Sequence, residues 1–145
     1  MAYSGRTDGR SIAGDPVRSE TWMAGGDATL TAGPLDLNLQ YIHREDARPT
    51  FTPGEPDAVT DGGFVEAIVT PATSRAYGFA LYNRVKCDRP LLDPRLGGPA
   101  NVTLFQSVAA GIGYLVSRNA RVQLETGYDI ENEDARATLG MTLAY

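Results

Sequence analysis

The chain has 145 residues, a net charge of −5 and a pI of about 4.8; that length suits one domain with a core, and that charge argues against an electrostatic nucleic-acid surface. Mean hydropathy is −0.24 and no run of roughly eighteen apolar residues occurs, so a membrane-spanning helix is excluded, whereas alternating transmembrane strands are not. The 16 Gly and 9 Pro, set among short runs of Thr, Val, Tyr and Leu, indicate an all-β chain. Cys87 is alone, which leaves no internal disulfide and no cysteine-based metal site.

Met1 to Arg18 is rich in Gly, Ser, Arg and Asp and lacks both periodicity and the apolar core of a signal peptide. Residues 1–18 are expected to be loop or disordered tail, and residues 19–145 a β domain. The first predicted strand runs from Glu20 to Ala32, with Trp22, Ala24, Ala28, Leu30 and Ala32 on one face and Asp27, Thr29 and Thr31 on the other. Gly33-Pro34 turns the chain into a second strand, Leu35 to Arg44, in which Leu35, Leu37, Leu39 and Tyr41 oppose Asp36, Asn38 and Gln40. Glu45 to Gly62 is expected to be a long loop, broken by Pro49, Pro53, Gly54 and Pro56. A third strand, Gly63 to Thr70, sets Val65, Ala67 and Val69 against Phe64, Glu66 and Ile68.

Pro71 to Ser74 is a short turn. The fourth strand, Arg75 to Lys86, is expected to point Tyr77, Phe79, Leu81 and Val85 to the apolar side and Arg84 and Lys86 to the other. A second long loop covers Cys87 to Ala100. The fifth strand, Val102 to Val116, opposes Val108, Ala110, Ile112 and Tyr114 to Ser107, Ala109, Gly111 and Gly113. After the tight turn Ser117-Arg118-Asn119, a sixth strand, Ala120 to Ile130, opposes Val122, Leu124, Tyr128 and Ile130 to Arg121, Gln123, Glu125 and Asp129. Glu131 to Asp134 leads into the seventh, Ala135 to Tyr145. There Ala137, Leu139, Met141, Leu143 and Tyr145 alternate with Arg136, Thr138, Gly140, Thr142 and Ala144.

This last segment resembles the C-terminal signal strand of bacterial outer-membrane β-barrel proteins, which their assembly machinery recognises. Eleven residues tilted by about 45° climb roughly 25 Å, the height of the apolar band of such barrels. The Gly-Tyr-Leu-Val run, the Arg-Asn turn, the Tyr-Asp pair and the final Thr-Leu-Gly-Met resemble the tail of porin-like proteins of Gram-negative bacteria. The resemblance implies an antiparallel meander of about seven amphipathic strands, part of a transmembrane barrel and an open, curled sheet if alone. It also implies passive diffusion of small hydrophilic solutes, contact with outer-membrane lipid and with the barrel assembly machinery, and the trimeric packing common among porins, although nothing in the chain marks a protomer interface. An outer-membrane protein is exported, so on this reading the chain is the C-terminal piece of a longer one.

Loop lengths agree with that architecture. Connections after the first, third and fifth strands are short, and those after the second and fourth are long. With the C-terminus on the periplasmic side, as in that family, every long loop falls outside and every tight turn inside. Trp22, Tyr41 and Tyr128 are then expected at the outer rim and Tyr77, Tyr114 and Tyr145 at the inner rim, all facing lipid. The lumen is expected to carry Asp27, Asp36, Gln40, Glu66, Arg84, Lys86, Arg121, Glu125, Asp129 and Arg136, with the four bases as candidates for anion attraction.

Other motifs have plainer accounts. Gly111-Ile112-Gly113 sits in a strand with no helix after it and is no dinucleotide fingerprint. Asp129, Glu131, Glu133 and Asp134 make an acidic hairpin without the Gly and spacing of a calcium loop. The sequon Asn101-Val102-Thr103 is uninformative in a bacterial setting. His43 and Asn83 are expected on the lipid side near the outer rim. No Ser shares that face, so no catalytic set is read, and no cofactor or metal is expected. Two alternatives stand beside the porin reading. One is a non-conducting anchoring barrel. The other is a soluble β-barrel binding an apolar ligand, in which Leu35, Leu37, Leu39, Leu139 and Leu143 would point inward around a core.

Overall fold

The structure, a computed structural model, describes residues 1–11, 14–92 and 102–143. These hold no helix. Eight strands form one antiparallel meander in sequence order: β1 (Ala2–Arg10), β2 (Pro16–Ala32), β3 (Leu35–Ala47), β4 (Ala58–Val69), β5 (Ala76–Cys87), β6 (Leu104–Ser117), β7 (Ala120–Asp129) and β8 (Asp134–Leu143). The sheet is open, with β1 and β8 as its edges. Its residues divide into two compact units, and β2 to β6 contribute to both.

The first unit comprises Met1–Gly26, Tyr41–Gly63 and Val85–Phe105. It contains an eighth strand where a disordered tail was expected. β1 pairs with β2 from Ala2↔Ala24 to Arg10↔Pro16. Its Ser, Gly, Arg and Asp residues have weak strand propensity, which hid it. Cross-strand charge compensates: Arg6 meets Glu20 at 3.1 Å, and Arg18 donates to Asp8 at 3.0 Å. The long loop is shorter than expected, because Glu45–Ala47 extends β3 and Ala58–Gly62 opens β4. This unit has a small core of Val17, Ala58 and Cys87, with Ser19 and Asp46 also buried. Ser19 Oγ donates to the Ala47 carbonyl at 2.6 Å and Thr21 Oγ1 to Asp46 at 2.6 Å, so both buried polar groups are satisfied.

Between β3 and β4 the chain is folded back on itself. Arg48 and Phe51 hold φ near +55°, a region non-glycine residues seldom adopt. The Phe51 ring fills the space a side chain at Gly9 would need. Glu55 accepts from Thr50 N and Oγ1 at 3.0 and 2.8 Å and pairs with Arg89 at 3.4 Å, while Arg89 donates to the Pro56 carbonyl at 2.7 Å.

The second unit comprises Asp27–Gln40, Phe64–Arg84 and the chain from Gln106 onward. Among its described residues no large apolar side chain is buried. The faces separate most cleanly in β6, β7 and β8. Gly111↔Glu125 and Gly113↔Gln123 pair across β6–β7, and Glu125↔Thr138 and Gly127↔Arg136 pair across β7–β8. These residues share a sheltered face with Ser107 and Ala109. The opposite, exposed face carries Val108, Ile112, Tyr114, Leu124, Tyr128, Leu139, Met141 and Leu143; Ile112 is 65% exposed and Leu139 74%. Leu35, Leu139 and Leu143 are exposed, and Leu37 and Leu39 are half-buried.

One strand turns the other way from expectation. Asn83 Nδ2 donates to Ser107 Oγ at 2.8 Å, and the rings of Phe79 and Tyr77 lie over Gly111 and Gly113. Tyr77, Phe79, Leu81 and Asn83 therefore lie on the sheltered face, and Ala76, Ala80, Tyr82 and Arg84 on the exposed one. Large rings on β5 occupy the volume that glycines on β6 leave empty. A Cβ at Gly111 would come within 2.6 Å of the Leu124 carbonyl oxygen and the Phe79 ring, whereas a Cβ at Gly140 meets nothing within 4 Å. Gly111→Ala is expected to cost about 1–3 kcal/mol by overpacking, and Gly140→Ala to leave stability unchanged or slightly raised. Denaturant unfolding of the two variants side by side in lipid vesicles checks this.

Candidate functional site

The candidate site is the sheltered face of the second unit, a band of polar side chains joined across strands. In β2 and β3, Thr29 Oγ1 donates to Asn38 at 2.8 Å and Thr31 Oγ1 to Asp36 at 2.6 Å. Asn38 Nδ2 donates in turn to Glu66 on β4 at 2.9 Å. Asp27 and Gln40 share the parity of this band, because Asp27 alternates with Thr29 and Gln40 with Asn38. In β6 to β8, Gln123 accepts from the Tyr77 hydroxyl at 2.9 Å and donates to Glu125 at 3.3 Å. Arg136 packs on Gly127, and Arg121 stands between Leu115 and Thr142. Asp129 accepts from Asn132 N and Nδ2 at 3.1 Å and so caps the β7–β8 turn.

Of the ten charged or polar residues expected on this face, the geometry groups eight there: Asp27, Asp36, Gln40, Glu66, Arg121, Glu125, Asp129 and Arg136. Arg84 and Lys86 are corrections. Arg84 alternates with Tyr82, whose hydroxyl donates to Gln106 at 2.6 Å on the Val108 face, and Lys86 shares their parity on β5. Losing both bases changes the electrostatics. Asp27, Asp36, Glu66, Glu125 and Asp129 share this face with only Arg121 and Arg136, a net negative surface. Apolar groups occupy part of the same face, with Phe79 and Tyr77 over the β6 glycines.

Among the aromatics, Trp22, Tyr41, Tyr114 and Tyr128 are exposed, at 40–55%. Tyr77 is a correction, since its ring and hydroxyl are turned to the sheltered face. Tyr82, of the opposite parity on β5, is exposed. Ala137, Leu139, Met141 and Leu143 line the exposed face of β8, and Tyr145 lies outside the described residues, as does Asn101 of the sequon. Asn83, expected beside His43, is on the opposite face at Ser107.

His43 lies on β3 in the first unit. Its Nδ1 is 2.8 Å from Asp61 and its Nε2 3.2 Å from Glu45, and Trp22 meets the ring edge-on at 5.8 Å. Tyr41 also donates to Asp61 at 2.5 Å. The cluster is hidden in the sequence, because Asp61 follows a Pro-rich stretch that reads as loop. Both ring nitrogens are engaged by carboxylates, and among the described residues no hydroxyl or thiol bonds to either. The arrangement is that of an interstrand clamp, since a general base needs one nitrogen free for a nucleophile. No group of three His, Cys, Asp or Glu among the described residues converges as metal ligands would.

Compared with known proteins, the chain matches no family model, no curated protein and no solved structure.

Proposed function

We propose that the chain is the membrane-crossing sheet of a porin-like outer-membrane β-barrel in a Gram-negative bacterium, whose polar face lines a passive path for small hydrophilic solutes. The observation that carries this reading is the inverted sidedness of the second unit. In β6 and β7 the apolar Val108, Ile112, Tyr114, Leu124 and Tyr128 stand on the exposed face, and Gly111, Gly113, Gln123, Glu125 and Gly127 on the sheltered one. In water, that much exposed apolar surface would be unfavourable by about 25 cal/mol per Å². Against hydrocarbon it is at home, and contiguous patches of this kind mark membrane or protein contact. β7 and β8, at ten residues each, have the length of a tilted transmembrane strand.

The mixed charges of the sequence leave selectivity open, and the polar face of the fold, with five acids against two bases, favours cations. A second reading, a barrel with a closed lumen, draws support from two features. Phe79 and Tyr77 occupy the sheltered face of the second unit, and Phe51 covers Gly9 in the first. Eight strands closed on themselves would leave an interior that side chains can fill.

Planar-bilayer recording of the protein, expressed with an export signal, separates the two. The porin reading predicts stepwise conductance with cation preference, reduced by Glu66→Gln with Glu125→Gln and weakened at high salt. A folded, heat-modifiable barrel that never conducts would establish the closed reading instead.

A further inference from the structure

The exposed face of the second unit is not smooth. A groove of about 440 Å³ crosses β4 to β7 there. Ala67, Ala80 and Ala110 form its floor, where larger side chains would have filled it, and Val65, Val108 and Tyr128 stand along its walls. Tyr82 lines the groove, and its hydroxyl is committed to Gln106, whose amide nitrogen is committed to Glu131 at 2.8 Å. Arg84 stands two residues further along β5 on the same face. It is exposed and takes part in none of the ion pairs formed among the described residues.

An apolar trough with one uncompensated guanidinium at its end matches an amphiphile with an anionic head and a long apolar body. A peptide segment would leave its backbone donors and acceptors unmet along such walls. A second copy of the chain would bring its own Arg84 face and add cation to cation across an isologous contact. We propose that Arg84 and this groove bind a net-anionic lipid, its phosphate against the guanidinium and one acyl chain along Val65, Ala67, Val108 and Ala110. The proposal rests on the membrane reading above and goes beyond it, because that reading requires only a lipid solvent. Arg suits the task, since a planar guanidinium meets phosphate through paired N–H donors. At the boundary of the apolar band its long side chain reaches the headgroup level at small cost.

Electron spin resonance on the folded protein in bilayers tests this, with the nitroxide on the acyl chain of either phosphatidylglycerol or phosphatidylcholine. The motionally restricted fraction should select phosphatidylglycerol about fivefold, the factor expected from one basic residue at a membrane surface. Arg84→Gln should bring selection close to parity, and Arg84→Lys should retain part of it. Ala110→Phe, which fills the groove, should lower the restricted fraction of both lipids. Equal selection by the unaltered protein, or selection unmoved by Arg84→Gln, overturns the site while leaving the membrane reading intact. A protein that does not enter bilayers at all overturns both.

Discussion

The constraint on which the rest depends is the sidedness of a pleated strand. Successive side chains point to opposite faces, so a sheet whose two faces differ in polarity must match its surroundings on both. In β6, β7 and β8 that difference is nearly complete: Val108, Ile112, Tyr114, Leu124, Leu139 and Leu143 on one side, Gly111, Gly113, Gln123, Glu125 and Arg136 on the other. A soluble domain of this size would turn the first set inward. Here it remains exposed, and the only buried apolar side chains among the described residues are Val17, Ala58 and Cys87 of the first unit. Hydrocarbon on one side and water or packed polar groups on the other satisfy both faces at once.

Within that frame, local size complementarity does the fine adjustment. Phe79 and Tyr77 sit over Gly111 and Gly113, and Phe51 over Gly9, while Gly25 lies against the backbone of Tyr41. In the first three cases a missing Cβ makes room for a ring from elsewhere in the same unit. The sheltered polar groups are likewise tied crosswise, from Thr31 to Asp36 and from Asn38 to Glu66. Such bonds hold side chains in place, and they leave the excess of carboxylates as the electrostatic signature of that face.

Legibility in the sequence follows from how register is set. β6, β7 and β8 alternate cleanly and are joined by tight turns that fix their pairing, so their faces were readable from the residues alone. β5 was not, because both its parities are apolar or small: Tyr77, Phe79 and Leu81 against Ala76, Gly78, Ala80 and Tyr82. The long connection to β6 gives no register either, so larger side chains misleadingly marked the lipid face. That single inversion moves Arg84 and Lys86 off the polar face. β1 was hidden for another reason, since its partners are charges and small residues, which carry little strand signal. The segment holding Pro49, Pro53 and Pro56 was recognisable as a loop. Its ends were misplaced because Asp46 and Asp61 read as loop residues, while in the fold one is buried against Thr21 and the other clamps His43.

The central claim, that the exposed apolar face meets lipid, is most directly tested by a nitroxide scan along β6. Single cysteines from Val108 to Tyr114 would be spin-labelled in a Cys87→Ala background in bilayers. Collision rates with oxygen and with a water-soluble nickel chelate would be compared at each position. The account predicts a period of two, with Val108, Ala110, Ile112 and Tyr114 accessible to oxygen and Ala109, Gly111 and Gly113 not. Even positions accessible to the chelate, or a scan with no period, would contradict it.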